Sequence, residues 1–494
     1  MSEFLLEMKN ISKSFSGVHA LDNVNFAVRP GRVMCLAGEN GCGKSTLVKI
    51  ISGVYTKDAG EVWFEGKKIT KITPAEATQL GIQVIYQDLS IFPNLTVREN
   101  LAINSEITAK KRFVNRKRMD ATAKEALSKI GHDIDLDAKM GDLSVADKQL
   151  IAICRALLFN AKFIIMDEPT TALTKKEVDA LFRTVCKLRD TGIAIMFISH
   201  KIEEIFEIAD DVAIMRNGKN VYLGTTADIT PKEFTFYMTG RQLTDDHFVP
   251  KNISKDPVLE VRNLSLEGSY DDVSFELRKG EILGITGLLG SGRTELALSL
   301  FGLNKPTGGE ILLNGKKVNI SSPMTAQDLH IGYVPEDRLT EGLCLLQPIA
   351  DNITLSSLKR LSSKMGLIKR KDILDDANIW VDKLSIATDD ACKAASTLSG
   401  GNQQKIVLAK WLSNALDVLI LNGPTVGVDV GAKQDIHQLV HCLANDGLAV
   451  IIISDDLAEV VTNCNRVIVM KDGKIVGHME SEEISNQAVL DIIR

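Results

Sequence analysis

The feature that most constrains this chain is that it is written twice. GRVMCLAGENGCGKSTLVKIISG, beginning at Gly31, recurs as GEILGITGLLGSGRTELALSLFG, beginning at Gly280. Gly38 to Gly287 and Gln87 to Glu336 keep an offset of 249, which becomes 255 for Leu143 to Leu398, Asp167 to Asn422 and His200 to Asp455. A repeat over about 200 residues with one six-residue step means two copies of one domain. The step falls between Gln87 and Leu143, so the second copy is longer in that interval only.

Each copy alternates strand and helix patterns. RVMCLAG, GIQVIYQ, KFIIMDEP and AIMFISH are short apolar runs of the buried-strand type. Between them, Val178, Leu181, Phe182, Val185 and Leu188 recur at helical spacing, as do Leu150, Ile151, Ile153, Ala156 and Leu157. That alternation predicts an α/β fold, a mostly parallel sheet with helices on its faces. Residues 95–142 are polar, charged and helical in tone, and read as an inserted helical subdomain. RQLTDDHFVPKNISKDP, 241–257, is polar with two prolines and is the expected linker. The domains are then 1–240 and 258–494.

Composition removes other classes. Net charge is −6, so no basic field points to nucleic acid. The eight cysteines form no CxxC pair, which leaves zinc modules and a disulfide framework without support. MSEFLLEMKN has no basic segment followed by an apolar one, and no apolar run approaches the ~18 residues that cross a bilayer. A cytoplasmic, reduced chain that does not itself span a membrane is expected.

The first copy carries Gly38-Glu39-Asn40-Gly41-Cys42-Gly43-Lys44-Ser45, a GxxxxGK[ST] loop between an apolar strand and a helical segment. Glycines let the backbone wrap phosphates, and N–H groups at a helix start point at them. Lys44 would neutralise the β- and γ-phosphates and Ser45 would coordinate Mg²⁺. Cys42 is a small filler whose thiolate the helix start and Lys44 are expected to favour. The second copy keeps Gly287, Gly290, Gly292 and Thr294 but places Arg293 where lysine belongs. A planar fork replaces a compact ammonium there, which puts catalysis at that loop in doubt.

Further elements follow in order: Gln87 after IQVIY, Leu143-Ser144, FIIMDEP ending in Asp167-Glu168, and His200 closing a strand. The second copy has LSGGNQQK from Leu398, with YVPEDR at 333–338 and PTVGVDVGAK at 424–433. This set resembles the ATP-binding cassette (ABC) ATPases over nearly the whole chain, two tandem nucleotide-binding domains each with a P-loop core, an antiparallel β part and a helical insertion. Within them it is similar to the ATPase subunits of bacterial simple-sugar importers of the ribose, galactose, xylose and arabinose type.

The resemblance implies roles at matching positions. Phe15 would stack on adenine, although a strand-end phenylalanine is equally a core residue. Gln87, Ser45 and Asp167 would hold Mg²⁺ with ATP, and Thr46 belongs to the nucleotide set. Glu168 would be the general base, with His200 on the γ-phosphate. Ser399, Gly400, Gly401 and Gln403 form the signature that reaches a nucleotide on the opposite cassette. Ala172-Leu173-Thr174 fits the D-loop only loosely. The implied partners are two integral-membrane permease subunits and an extracytoplasmic substrate-binding protein, with no nucleic acid, at the cytoplasmic face of the inner membrane.

The departures have an order. The first signature reads Ser144-Val145-Ala146-Asp147, without either glycine. In the second copy Asn422 replaces the metal aspartate, Gly423 the general base and Asp455 the histidine. Cassettes of this family pair head to tail, so the first Walker motifs and the second signature make one complete site. The remaining halves make a degenerate one. A translation factor with twin cassettes would call for a long charged linker and two good signatures, and a DNA-repair cassette for CxxC pairs; neither is present. Nucleosides or a furanosyl signalling sugar remain open as cargo. The basic clusters Lys110-Lys111-Arg112, Arg116-Lys117-Arg118 and Lys369-Arg370-Lys371 read as solvated helix faces or as contacts for the membrane partner.

Overall fold

A strand covered on both faces shows no polar alternation, and all six residues of Val33–Gly38 are buried. The computed structural model describes residues 3–15, 18–86, 89–108, 115–131, 134–171, 173–199, 201–241, 248–250, 252–288, 290–480 and 485–493. The chain divides into two compact units between Leu243 and Thr244.

In the first unit Val33–Gly38 lies inside a six-stranded sheet. Asp211–Arg216 and Ala194–Ile198 run parallel on either side of it, and Phe163–Asp167 and Ile82–Ile85 continue the parallel set. Only the edge strand Lys219–Thr225 is antiparallel. Leu36 and Asp167 both pair with Ile198, so the phosphate loop and the acidic pair leave the sheet at one carboxyl edge. A separate antiparallel sheet orders Val18–Val28, Leu6–Phe15, Ala59–Phe64 and Lys67–Ile69. The second unit repeats both sheets, with Ile282–Gly287 in the place of Val33–Gly38. All four strands expected from the apolar runs form, and the two periodic segments are the helices Lys175–Asp190 and Val145–Leu158, apolar face inward.

The helical insertion contains Val97–Thr108 and Arg116–Ile130, and in the second unit Ile349–Thr354 and Arg370–Lys383. Hydrogen bonding resolves the six-residue step into smaller ones. Asn100 Oδ1 accepts from the Phe92 N–H and Asn352 Oδ1 from the Cys344 N–H, an offset of 252. The bridges Thr96–Lys139 and Pro348–Ala394 carry the offset on to 255 at the latter residues. The first three residues are therefore inserted between Glu336 and Cys344, a stretch in which Arg338–Gly342 forms a wide π turn.

Arg116 opens its helix exposed and paired with Asp137 at 2.7 Å, and Arg370 pairs with Asp351. Both clusters stand at exposed helix starts, which suits either expected reading; Lys110-Lys111-Arg112 lies outside the described residues. Most of 241–247 does too, but Phe248 is tied to the second unit. Its N–H donates to Thr462 O at 3.0 Å, its carbonyl accepts from Asn465 at 3.0 Å, and its ring stacks on His441 at 3.9 Å. Among the described residues no helix is long and apolar enough to cross a membrane.

Asn352 is buried, and its Nδ2 donates to the carbonyls of Cys344 and Pro348. Asn352→Ala leaves these groups unsatisfied and is expected to cost about 2–3 kcal/mol. Urea unfolding of the full chain checks this, and an unchanged midpoint for the second-unit transition would contradict it.

Candidate functional site

The strand Val33–Gly38 turns through its loop because three glycines carry no side chain. A Cβ on Gly38 would lie 2.3 Å from Met215 O, and one on Gly43, at φ 107°, would lie 2.5 Å from Ala20 O. Asn40 and Gly41 form the exposed tip, with Glu39 half-buried before them. Lys44 opens the helix Lys44–Ile51 and folds back, its Nζ donating to Gly38 O at 2.6 Å and Glu39 O at 2.9 Å. The ammonium is thus held inside the loop. Ser45 is exposed on the first turn and Thr46 is half-buried beside it.

Cys42 departs from expectation. It is 4% exposed, and burial pushes its thiol up more strongly than the Lys44 charge pulls it down. A reactive thiolate is not what this loop presents; it is a small apolar filler against Gly38.

Asp167 ends its strand half-buried, and Glu168 follows at φ 46°, a left-handed conformation that a side chain adopts only under strain. The Glu168 N–H donates to Ile198 O at 3.0 Å, which holds that conformation against the next strand. Burial first, and the Glu168 charge second, raise the Asp167 carboxyl above its usual range, while Lys44 and Lys49 oppose the shift. Two adjacent acids with an exposed hydroxyl nearby in the chain's topology are a hard-oxygen donor set of the kind Mg²⁺ takes. Phe15 is 38% exposed, edge-on to Tyr55 at 5.2 Å, with Lys13 over its ring. It is therefore a surface aromatic, not a core one. Gln87, Ala172 and His200 lie outside the described residues.

The second unit keeps the backbone and changes the chemistry. A Cβ on Gly287 would lie 2.2 Å from Met470 O, and one on Gly292 2.6 Å from Ser269 O, as in the first loop. Gly290 holds φ 80° at the tip, and Thr294 follows in the helix Arg293–Leu300. Arg293 is buried, donates to Gly287 O, and stands 3.8 Å from the Asp455 carboxylate. Asn422 is buried and donates through Nδ2 to the Tyr333 hydroxyl at 3.3 Å. Burial pushes that phenol up to about 12, so it stays protonated. Gly423 keeps the left-handed turn of Glu168, at φ 56°, with its N–H on Ile453 O at 2.8 Å.

The model of the ABC transporter family matches residues 21–171 and 270–426, one stretch in each unit. The chain belongs to the ABC transporter family. It is 44% identical over 490 residues to a ribose import ATP-binding protein of Clostridium perfringens, covering 99% of this chain and 98% of that one. It is 42% identical over 489 residues to the protein of that name in Bacillus subtilis, covering 99% of each. A solved ATP-binding cassette of an ABC transporter in its ADP conformation is 31% identical, covering 48% of this chain and 94% of its own, with a TM-score of 0.43.

Two residues that sequence reading passed over set the ABC signatures apart. Ser144 caps the helix Val145–Leu158, and its hydroxyl donates to Asp147 Oδ2 at 2.8 Å while accepting the Asp147 N–H at 3.1 Å. Its proton is taken by a carboxylate. In the second unit Asn402 stands in place of Asp147, and its Nδ2 donates to Ser399 Oγ at 3.0 Å. The Ser399 hydroxyl is left to donate elsewhere. The glycines also have a reason inside the unit: a Cβ on Gly401 would lie 2.4 Å from Ala432 Cβ, and one on Gly400 2.7 Å from the Arg338 guanidinium. Gln403 is buried on the same helix, Gly400–Leu412. The signal for Asp147 was in the sequence, an acid three residues after a serine, which is the spacing of a helix cap.

Burial and strain here oppose folding, and that is testable. A carboxyl whose pKa is raised in the fold loses stability as pH climbs from its ordinary range to the raised value, so the penalty is full at neutral pH. Asp167→Asn is expected to raise the melting temperature near neutral pH, with the gain gone at about pH 3.5. Glu168→Gly is expected to add about 1 kcal/mol by relieving φ 46°. A lower melting temperature for either variant at neutral pH would contradict the site as described.

Proposed function

We propose that this ABC ATPase powers the import of a simple sugar, hydrolysing ATP at one composite site and not at two. The observation that carries the reading is the split of intact parts. Lys44, Ser45, Asp167 and Glu168 stand together at one sheet edge of the first unit, while the signature with a donor hydroxyl, Ser399, is in the second. The names of its relatives, ribose import ATP-binding proteins, favour a pentose or similar sugar as cargo.

In this reading the first loop wraps the phosphates with helix-start N–H groups, and Lys44 leaves the Gly38 and Glu39 carbonyls for the β- and γ-phosphates. Ser45, Asp167 and Gln87 would hold Mg²⁺, which supplies charge neutralisation of the phosphates when bound. Phe15, already exposed, would stack on the adenine. Glu168 orients the attacking water and accepts its proton, His200 contacts the γ-phosphate, and Ser399 with Gly400 and Gly401 closes over it from the second unit. Hydrolysis gives ADP and phosphate and reopens the pair. The mechanical output passes through the helical insertions to two permease subunits, with an extracytoplasmic protein delivering the sugar, and the chain sits peripherally on the inner face of the membrane. That second-site residues Ser144, Gly287, Gly290, Gly292, Arg293, Thr294, Asn422, Gly423 and Asp455 do not hydrolyse follows from the missing base and metal carboxylate.

Glu168→Gln is expected to lower ATP turnover to no more than a few per cent of the parent while ATP binding persists. Ser399→Arg should stop turnover, whereas Ser144→Arg, facing the eroded loop, should leave most of it. Steady-state phosphate release from the chain with its permeases measures both. Equal losses at Ser399 and Ser144 would sink the crossed pairing.

A further inference from the structure

The second phosphate loop contains a feature that the loss of catalytic groups does not require. Arg293 places a guanidinium where Lys44 places an ammonium, and it is buried, 8% exposed. A buried cation needs an anion or strong acceptors. Arg293 has the Gly287 carbonyl on Nη1 and the Asp455 carboxylate 3.8 Å from Nη2. Asp455 occupies the position that is His200 in the first copy, following the strand Ala449–Ile453. The neighbouring Ser454 N–H donates to Ile285 O at 3.2 Å, which ties this turn to the strand that enters the loop. The Asp455 side chain is 73% exposed, so the carboxylate stands at the mouth of the loop, on its solvent side.

Two further observations in the same unit point the same way. The hairpin that carries Phe15 in the first unit is four residues shorter in the second. Ser12 Oγ accepts from the Asn23 N–H, and the matching bond is Ser265 Oγ from the Asp272 N–H, so the separation of the bonded residues falls from eleven positions to seven. Phe15 has no counterpart, and an adenine would lose its stacking surface. On the phosphate side a cavity of about 460 Å³ opens beside Thr294 and Asn422, lined also by Glu336, Asp337, Arg338 and Glu341. With Asn422 donating to Tyr333, the strand-end carboxylate of the first unit has no counterpart here. Of the charged groups lining that space three are acids and one is a cation, Arg338, which already donates to the Val426 and Gly427 carbonyls, a balance that disfavours a polyphosphate.

We propose that Asp455 is a resident anion of the second phosphate loop: paired with Arg293, it excludes nucleoside triphosphate from this unit, so that the chain holds one nucleotide tightly and not two. This rests on the reading that the first unit carries the hydrolytic loop. An exposed carboxylate must be displaced, or must tolerate a γ-phosphate beside it, before a triphosphate can reach Arg293. Without the strand-end aspartate of the first unit, and without an adenine-stacking ring, less binding energy is available to offset that. The substitution of histidine by aspartate therefore does more than remove a phosphate contact. It replaces the phosphate.

Calorimetric titration of the full chain with Mg²⁺ and adenylyl imidodiphosphate tests this. The parent is expected to bind one equivalent, and Lys44→Ala to abolish that event. On the Lys44→Ala background, Asp455→Asn and Asp455→Ser are each expected to bring a saturable event at least about tenfold tighter than Lys44→Ala alone. The two variants differ in volume, and Asp455 is exposed, so an unfolded variant would be visible in a melting curve while the other still reads out. Two tight equivalents in the parent, or no gain in either Asp455 variant, would overturn the proposal. ATP turnover that survives Lys44→Ala would instead overturn the assignment of hydrolysis to the first unit, which the binding data alone do not address.

Discussion

The carbonyl of Met215 is so close to Gly38 that no side chain fits between them, and the rest of the first site depends on that contact. The gap for a Cβ is 2.3 Å there and 2.2 Å at Gly287 against Met470. In both units a second carbonyl, of Ala20 or Ser269, closes on the glycine that caps the next helix. The loop is thus shaped by three backbone segments: its own strand, the parallel neighbour, and the hairpin of the antiparallel sheet. None of these contacts involves a catalytic group. The fold can therefore hold a phosphate loop open whether or not the residues on it still do chemistry.

That separation explains how the second unit stays well packed without the lysine and the acidic pair of the first. Each lost group has been given a partner inside the unit. Arg293 takes a loop carbonyl and Asp455, Asn422 takes the Tyr333 hydroxyl, and a Cβ on Gly423 would meet Val426 at 2.9 Å and Glu336 at 3.0 Å. Buried polar groups left without partners cost free energy, so a site that loses its ligand is stable only after such repartnering. The reverse change is correspondingly hard. A glutamate put back at 423 would crowd Val426 and set its charge beside Glu336.

Much of this was legible in the sequence. The repeat, the buried strands and the phosphate loops are local patterns of period and spacing, and a pattern of that kind survives without knowledge of what it packs against. The six-residue step was visible only as a total, because its division rests on Asn100 and Asn352, whose hydrogen bonds close turns that composition does not mark. The Asn422–Tyr333 bond joins residues 89 apart and the Phe248 anchor joins residues 217 apart, so neither had a local signal. Cys42 was misjudged for a different reason. Helix dipole and a neighbouring lysine were both read correctly, but desolvation depends on the fold and outweighs them.

The turn after Phe163–Asp167, and after its counterpart Val418–Asn422, shows why the asymmetry is not simple decay. Both units bend there in the left-handed region, at φ 46° for Glu168 and 56° for Gly423, with the same N–H to carbonyl bond across to the next strand. The sheet imposes this turn, so strain is present wherever the residue has a Cβ. Glycine removes it at no cost to packing, and the second unit has glycine. The first unit keeps a glutamate in a conformation the backbone disfavours, next to an aspartate whose charge burial also disfavours. A chain under pressure for stability alone would relax both positions. That only the unit with the intact loop still bears them is what the proposed role of this carboxylate pair would require.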